Sequence, residues 1–266
     1  MSYQAFKFFN RNNKGRDFVV GDIHGHFTAL EKLLWQAKFD AEHDRVFSVG
    51  DMIDRGPESH RAIEFLNHSW FHAIRGNHEQ MLLDAEHSLP VSRNWITFNG
   101  GGWWRDIPDH LQPRIRTIIK QLPLAMEIST PKGRVGIVHA DIPTGLPWKD
   151  FISLLNIDEE VQDQALWSRS RFKQIQLMGR TQPVSGIDML IFGHTPVSKP
   201  IHEGNIVYID TGAPYTNDKS LGTLTMLEIA PSVKVHQIKT DASQDYLALR
   251  KRKSRVKKAS KTSVPA

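Results

Sequence analysis

Short apolar runs followed by Gly-Asp organise the first third of the chain. Phe18-Val-Val20 precedes Gly21-Asp22 and Val46-Phe-Ser-Val49 precedes Gly50-Asp51, while Ala29 to Ala37 between them carries apolar residues at helical spacing. This pattern predicts strand, helix, strand. The same reading predicts a helix after Pro57 through Leu66, a strand near Phe71 to Ile74 and a helix from about Glu79 to Glu86. Such a βαβαβα series belongs to an α/β domain whose strands are buried on both faces. From Pro90 to Pro123 the pattern changes. Trp95, Gly100-Gly-Gly102, Trp103 and Trp104 precede a helix predicted from Pro113 to Gln121, and the stretch reads as a cap or lid.

Strands are predicted again at Leu124 to Ile128, Val135 to Val138, Leu190 to Phe192, Ile206 to Ile209, Leu224 to Ile229 and Val233 to Ile238. A helical stretch is predicted from about Phe151 to Trp167. Two sheets packed face to face accommodate this mixture of crossovers and hairpins. The expected class is therefore α/β, with two sheets face to face.

Composition narrows the chemistry. With 39% hydrophobic and 24% charged residues, the 266-residue chain is not disordered as a whole. No run of about 18 apolar residues predicts a membrane span, and Met1 to Asp17 lacks the pattern of an export leader, so a cytoplasmic protein is expected. Cysteine is absent, which excludes disulfides, thiolate zinc sites and cysteine nucleophiles. The net charge of +5 is unevenly placed. Eight Lys and Arg residues lie between Arg250 and Lys261 with no acid from 250 to 266; the remainder has 26 basic and 29 acidic residues. Residues 241–266 are expected to form a basic, disordered tail, and nucleic acid or an anionic surface would be met only through 250–261.

Five segments place polar, metal-competent residues just after apolar runs: Gly21-Asp-Ile-His-Gly-His26, Gly50-Asp-Met-Ile-Asp-Arg-Gly-Pro57, Arg75-Gly-Asn-His-Glu79, Val138-His-Ala-Asp141 and Phe192-Gly-His-Thr-Pro196. Any one of them is more often a turn than a site. Together, at the carboxyl ends of strands, they can converge across an open sheet. Asp22 and His24, two apart on an extended segment, would point to one side and hold one metal. Asp51 would bridge to a second ion held by Asn77, His139 and His194. This oxygen and nitrogen set suits Mn²⁺, Fe or Zn. Two ions about 3.5–4 Å apart could clamp a phosphoryl group and activate a water. Arg55 and Arg75 would bind phosphate oxygens. His78 would protonate the leaving oxygen, with Asp54 fixing its tautomer.

These segments resemble those of the metal-dependent protein serine/threonine phosphatases of the PPP type, in particular the bacterial and bacteriophage lambda branch. Asn99-Gly-Gly-Gly-Trp103, Leu122-Pro-Leu124, Leu166-Trp-Ser-Arg169, Lys199-Pro200 and Tyr208-Ile-Asp-Thr-Gly-Ala213 extend the resemblance over roughly residues 15 to 230. It implies a calcineurin-like metallophosphoesterase fold, α/β, an αβ sandwich of two mixed sheets flanked by helices, with a catalytic domain over 15–240 and a cap at about 90–123. It also implies a centre of two divalent ions, commonly Mn²⁺. Asp22, His24 and Asp51 would hold one ion and Asp51, Asn77, His139 and His194 the other. Asp54 with His78 would form the acid pair, and Arg55, Arg75 and Arg169 would hold phosphate. The implied substrate is a phosphoprotein or phosphopeptide, attacked directly by a metal-activated hydroxide, with phosphotyrosine a further substrate. Two alternatives stand beside it: a symmetrical dinucleoside tetraphosphate hydrolase, and a phosphoprotein- or RNA-binding regulator with a vestigial site. His26, two past His24, is read as a bystander.

Overall fold

The computed structural model describes residues 3–241. Its strands form two sheets. One has six strands in the order β1 (Phe6–Phe9), β5 (Ala125–Thr130), β6 (Gly133–Val138), β7 (Met189–Phe192), β9 (Ile206–Tyr208), β8 (Ile201–Glu203). The other has five, in the order β11 (Lys234–Lys239), β10 (Thr223–Ala230), β2 (Asp17–Val20), β3 (Arg45–Ser48), β4 (Phe71–Ala73). Helices α1 (Phe27–Gln36), α2 (Ala62–Leu66), α3 (Asn77–Asp84), α4 (Leu89–Phe98) and α5 (Gln112–Lys120) lie on the side of the five-stranded sheet. Helices α6 (Trp148–Leu154) and α7 (Glu159–Trp167), followed by α8 (Ser170–Met178), cover the six-stranded one.

Strand alternation assigns each side chain to a layer. Phe18 and Val20 face a core shared with Leu30, Leu33, Phe65 and Leu82. Val19 between them turns inward and meets Phe47, Ile137, Ile191 and Val207 in the core between the sheets. Leu190 and Phe192 turn the other way, onto Trp148, Phe151 and Val161. Each fully buried side chain of this kind contributes about 1.5–3 kcal/mol, so the middle core holds the two sheets in fixed register at their strand ends.

That register is what creates a site. β2, β3 and β4 run parallel, as do β6, β7 and β9, so within each sheet the carboxyl ends share an edge. The expected αβ sandwich of two mixed sheets is the architecture observed. Five elements differ from expectation. β1 pairs with β5 as an edge strand that buries only its last residue, which hides its alternation. β8 is three residues long. α8 follows α7 after two residues. The helix predicted from 151 to 167 is two helices, because Asp158 caps α7 by accepting from Glu160 N and Val161 N at 2.9 and 3.2 Å, a contact of about 1 kcal/mol. The stretch expected to form a cap holds α4 as well as α5, and α4 is started by Ser88 with Pro90 in its first turn. The basic tail lies outside the described residues.

Candidate active site

Loops leaving β2, β3, β4, β6 and β7 meet where the two sheets abut. Asp51 lies at the centre. Its Oδ1 is 3.4 Å from His139 Nε2, and its Oδ2 is 3.5 Å from His24 Nε2 and 3.9 Å from His78 Nε2. Asn77 Oδ1 is 2.8 Å from His139 Nε2 and 3.0 Å from His194 Nδ1. Asp22 accepts the His194 backbone N–H on both oxygens at 3.2 and 3.1 Å. Two buried groups, His24–Asp51–His78 and Asp51–His139–His194, thus share Asp51 and have the compactness a metal ion needs.

The backbone that delivers these residues is unusual. His24, Asp51, Asp54, Arg55 and His194 have φ of 43°, 47°, 73°, 66° and 64°. Non-glycine residues held in the left-handed region cost about 1–3 kcal/mol each and persist only where the surroundings determine them. Here the determinants are hydrogen bonds between loops. Ile23 N and His24 N donate to the Asp51 carbonyl at 3.1 and 2.9 Å. Glu79 accepts backbone N–H groups from Asp51, Met52, Ile53 and Gly76 at 2.8–3.3 Å. The expectation that strand alternation carries His24 to the side of Asp22 is corrected: His24 arrives through a left-handed turn beyond the end of β2.

Three imidazoles are pinned by their outer nitrogens. His24 Nδ1 donates to the Ile53 carbonyl at 2.9 Å, His139 Nδ1 to the Val49 carbonyl at 2.8 Å and His194 Nε2 to the Trp167 carbonyl at 3.2 Å. Burial lowers the pKa of all three, that of His194 to about 2. A neutral ring whose outer nitrogen carries the proton presents a lone pair inward. The inward nitrogens of His139 and His194 therefore face the Asn77 oxygen, acceptor against acceptor. The carboxylates add to the problem. Burial, with Asp210 and Asp51 close by, raises Asp22 well above the ordinary range, and burial and Asp51 raise Asp210 to about 7. Burial acts on Asp51 in the same sense, but His139, His78 and His24 outweigh it and hold that group far below. Inward lone pairs and clustered carboxylates are the donor set of divalent cations, and the outer hydrogen bonds orient such ligands. The residues fit the implied ions.

Beside this cluster His78 Nδ1 donates to Asp54 Oδ2 at 2.7 Å, leaving Nε2 toward Asp51. Burial works against protonating His78, but Asp51 and the hydrogen-bonded Asp54 outweigh it and raise the imidazole above its ordinary value. Two further donors reach Asp54: Trp95 Nε1 to Oδ2 and Trp103 Nε1 to Oδ1, both at 2.6 Å.

The three arginines separate. Arg55 Nη1 is 3.1 Å from His24 Nε2, and Arg169 Nη2 donates to the His194 carbonyl at 3.3 Å, so both guanidiniums border the cluster. Arg75 does not. It donates to Gln80 Oε1 at 2.9 Å and to the Lys120 and Leu122 carbonyls at 2.7 and 3.3 Å, and it lies 5.2 Å from the Tyr3 ring centre. Its expected place on phosphate is not the one seen here: Nη1 is committed to Gln80 and Nη2 to the Lys120 and Leu122 carbonyls, while Nε is buried without a hydrogen-bond partner among the described residues. His26 is buried and belongs to neither ligand group. Asp141, quoted with His139, pairs instead with Arg171 at 3.0 Å.

Residues 18–198 match the family described as calcineurin-like phosphoesterase. The chain belongs to that family. Among relatives of this phosphoesterase, serine/threonine-protein phosphatase 1 of Salmonella typhimurium is 38% identical over 78% of this chain and 91% of its own. An asymmetrical bis(5'-nucleosyl)-tetraphosphatase of Geobacillus thermodenitrificans is 30% identical over 74% of this chain and 85% of its own. A solved serine/threonine phosphatase from Saccharomyces cerevisiae, 16% identical, shares the fold with a TM-score of 0.61 over 91% of this chain and 86% of its own.

Site residues that sequence reasoning passed over are Asp210, Glu79, Trp95 and Trp103. Asp210 had a signal. It follows the apolar run Ile206 to Ile209 and precedes Thr-Gly, the same grammar as the five ligand segments. Glu79 stood inside a quoted segment without a role. Nothing in the local sequence marks a tryptophan as a hydrogen-bond donor to a carboxylate over 40 residues away.

Proposed function

We propose that this phosphoesterase is a protein serine/threonine phosphatase that hydrolyses phosphomonoesters at a centre of two divalent ions, Mn²⁺ by preference, and that it also takes phosphotyrosine. The observation that carries the reading is the set of pinned, neutral imidazoles whose inward nitrogens face Asn77 and Asp51. We assign Asp22, His24 and Asp51 to one ion and Asp51, Asn77, His139 and His194 to the other. When bound, the two ions would supply Lewis-acid polarisation of the phosphoryl oxygens and an activated water. Arg55 and Arg169 would hold the remaining phosphate oxygens as charge develops. His78 would give the proton on Nε2 to the Ser or Thr oxygen as the P–O bond breaks, while Asp54 holds Nδ1–H and so keeps the ring in the working tautomer. The catalytic unit is assigned to 15–240 with its cap at 90–123.

The Salmonella phosphatase, matched over most of its length, supports a phosphoprotein substrate. The tetraphosphatase relative supports a second reading, dinucleoside tetraphosphate hydrolysis. The complete acid pair favours the first, because a phosphoester of serine leaves as a basic alkoxide and needs a proton, whereas a nucleotide is a better leaving group. The complete donor set also counts against a vestigial regulator. The deciding experiment is turnover by the Mn²⁺-loaded protein of phosphoserine, phosphothreonine and phosphotyrosine peptides beside diadenosine tetraphosphate. Faster phosphopeptide turnover is expected; preference for the dinucleotide would reverse the assignment.

A further inference from the structure

Asp54 is fully buried and both of its oxygens are occupied. Oδ2 accepts from His78 Nδ1 and Trp95 Nε1, Oδ1 from Trp103 Nε1. An indole N–H is a donor only, so these contacts match an acceptor-only carboxylate and fix its plane about the Cβ–Cγ bond. The donors arrive from the cap, on α4 and on the turn that follows it, while Asp54 and His78 come from the sandwich. The glycines between the two tryptophans make the approach feasible. Gly100, at φ 86°, lies so close to Arg55 that a Cβ would strike the Arg55 backbone, and its carbonyl accepts Arg55 N at 3.4 Å. A Cβ on Gly101 would enter the Trp95 indole. Asn99-Gly-Gly-Gly-Trp103 is thus a close-contact surface for Asp54, Arg55 and Trp95.

We propose that Trp95 and Trp103 are positioning residues for protonation of the leaving group: by fixing the Asp54 carboxylate they fix the Nε2 of His78, so that the acid pair is assembled only when the cap is seated on the sandwich. The proposal rests on the role assigned to His78. Misplacing a catalytic group by about 1 Å can cost 10²-fold, and general acids contribute about 10²–10⁴-fold. A positioning defect therefore appears where the leaving group is basic and fades where it is not.

The test is a double-mutant cycle on the Mn²⁺-loaded full chain with Trp103→Phe, His78→Asn and the pair, using a phosphoserine peptide and p-nitrophenyl phosphate. Trp103→Phe is expected to slow the peptide about 10-fold or more, to spare p-nitrophenyl phosphate, and to add nothing once His78 is Asn. Equal loss on both substrates, or full additivity with His78→Asn, overturns the positioning role even where His78→Asn itself keeps its leaving-group selectivity. His78→Asn without selectivity overturns the acid assignment, and the proposal with it. If Trp103→Phe does not fold, ¹⁵N-labelled indole spectra of Asp54→Asn decide the contact. Two indole N–H signals are expected to move; none moving contradicts it.

Discussion

Arg55 and Arg75 occupy equivalent places in the sequence grammar. Each follows an apolar strand, precedes a glycine and lies within four residues of a metal-competent side chain. The structure sends them in opposite directions. Arg55, at φ 66°, is turned into the cluster beside His24. Arg75 opens toward Gln80, Tyr3 and the carbonyls at the end of α5, in a hollow of about 310 Å³ lined also by His87 and Lys120. One guanidinium borders the Asp51 cluster, and the other spends both of its terminal nitrogens on Gln80 and on backbone carbonyls. The difference is set by backbone conformation and by which carbonyls are nearby, and neither is written in a motif. Membership of a motif segment is therefore weaker evidence for a role than what the side chain's hydrogen bonds already satisfy.

Substitutions on the two sides sharpen this contrast. The largest effect is expected from Asp51→Asn, which removes charge from both ligand groups. Even residues that merely support a metal ligand cost about 10–100-fold in affinity or activity, so loss of the shared carboxylate should lower kcat/KM by more than about 10³-fold, beyond the loss of a single charge-stabilising donor, with loss of bound metal. Arg55→Ala comes next. Removing one charge-stabilising donor typically costs about 10²–10³-fold in rate, and inhibition by inorganic phosphate should weaken in parallel. Arg75→Gln should do the reverse, leaving phosphate inhibition and kcat/KM little changed while lowering denaturation stability by about 2 kcal/mol through lost buried hydrogen bonds. A phosphate-affinity loss in Arg75→Gln matching that of Arg55→Ala would erase the distinction between them.

The last effect bears on the pH dependence of stability alone and concerns a histidine wholly outside the cluster. His72 on β4 packs 4.6 Å from the Phe9 ring and 5.2 Å from Phe47. Burial, aided by Lys7 and Arg45, depresses its pKa to about 4. A depressed imidazole binds its proton in the unfolded chain first, so its presence lowers stability as pH falls from about 6.5 to about 4, and the loss is complete below that. His72→Gln should flatten that slope by on the order of 2–3 kcal/mol across the window. Parallel stability curves for the two proteins between pH 7 and 4 would show that the ring takes up its proton without penalty.

The sandwich and most of the centre were legible because they rest on periodicity and on strand-end polarity. Val19 against Phe18 and Val20, and Ile191 against Leu190 and Phe192, carry the layer assignment in their alternation. Asp51, His139 and His194 each follow an apolar run by a residue or two. What was hidden depends on contacts between segments far apart in sequence. β1 shows too little alternation to be seen without its partner β5. Trp95 is a core residue and Trp103 packs partly buried against that core, but the N–H groups of both end on Asp54. The turn at His24 was misread as extended chain because no glycine stands at the left-handed position itself.

One carboxylate, that of Asp51, is shared between the two ligand groups. The most direct test of this sharing is titration of metal-free protein with Mn²⁺, reading bound ions per chain and phosphoserine-peptide turnover on the same sample, for the natural sequence and for Asp51→Asn. Two ions per chain, turnover that rises with the second, and loss of both in Asp51→Asn are predicted. A single ion that supports full turnover, or an Asp51→Asn protein that binds two ions and turns over normally, would contradict it.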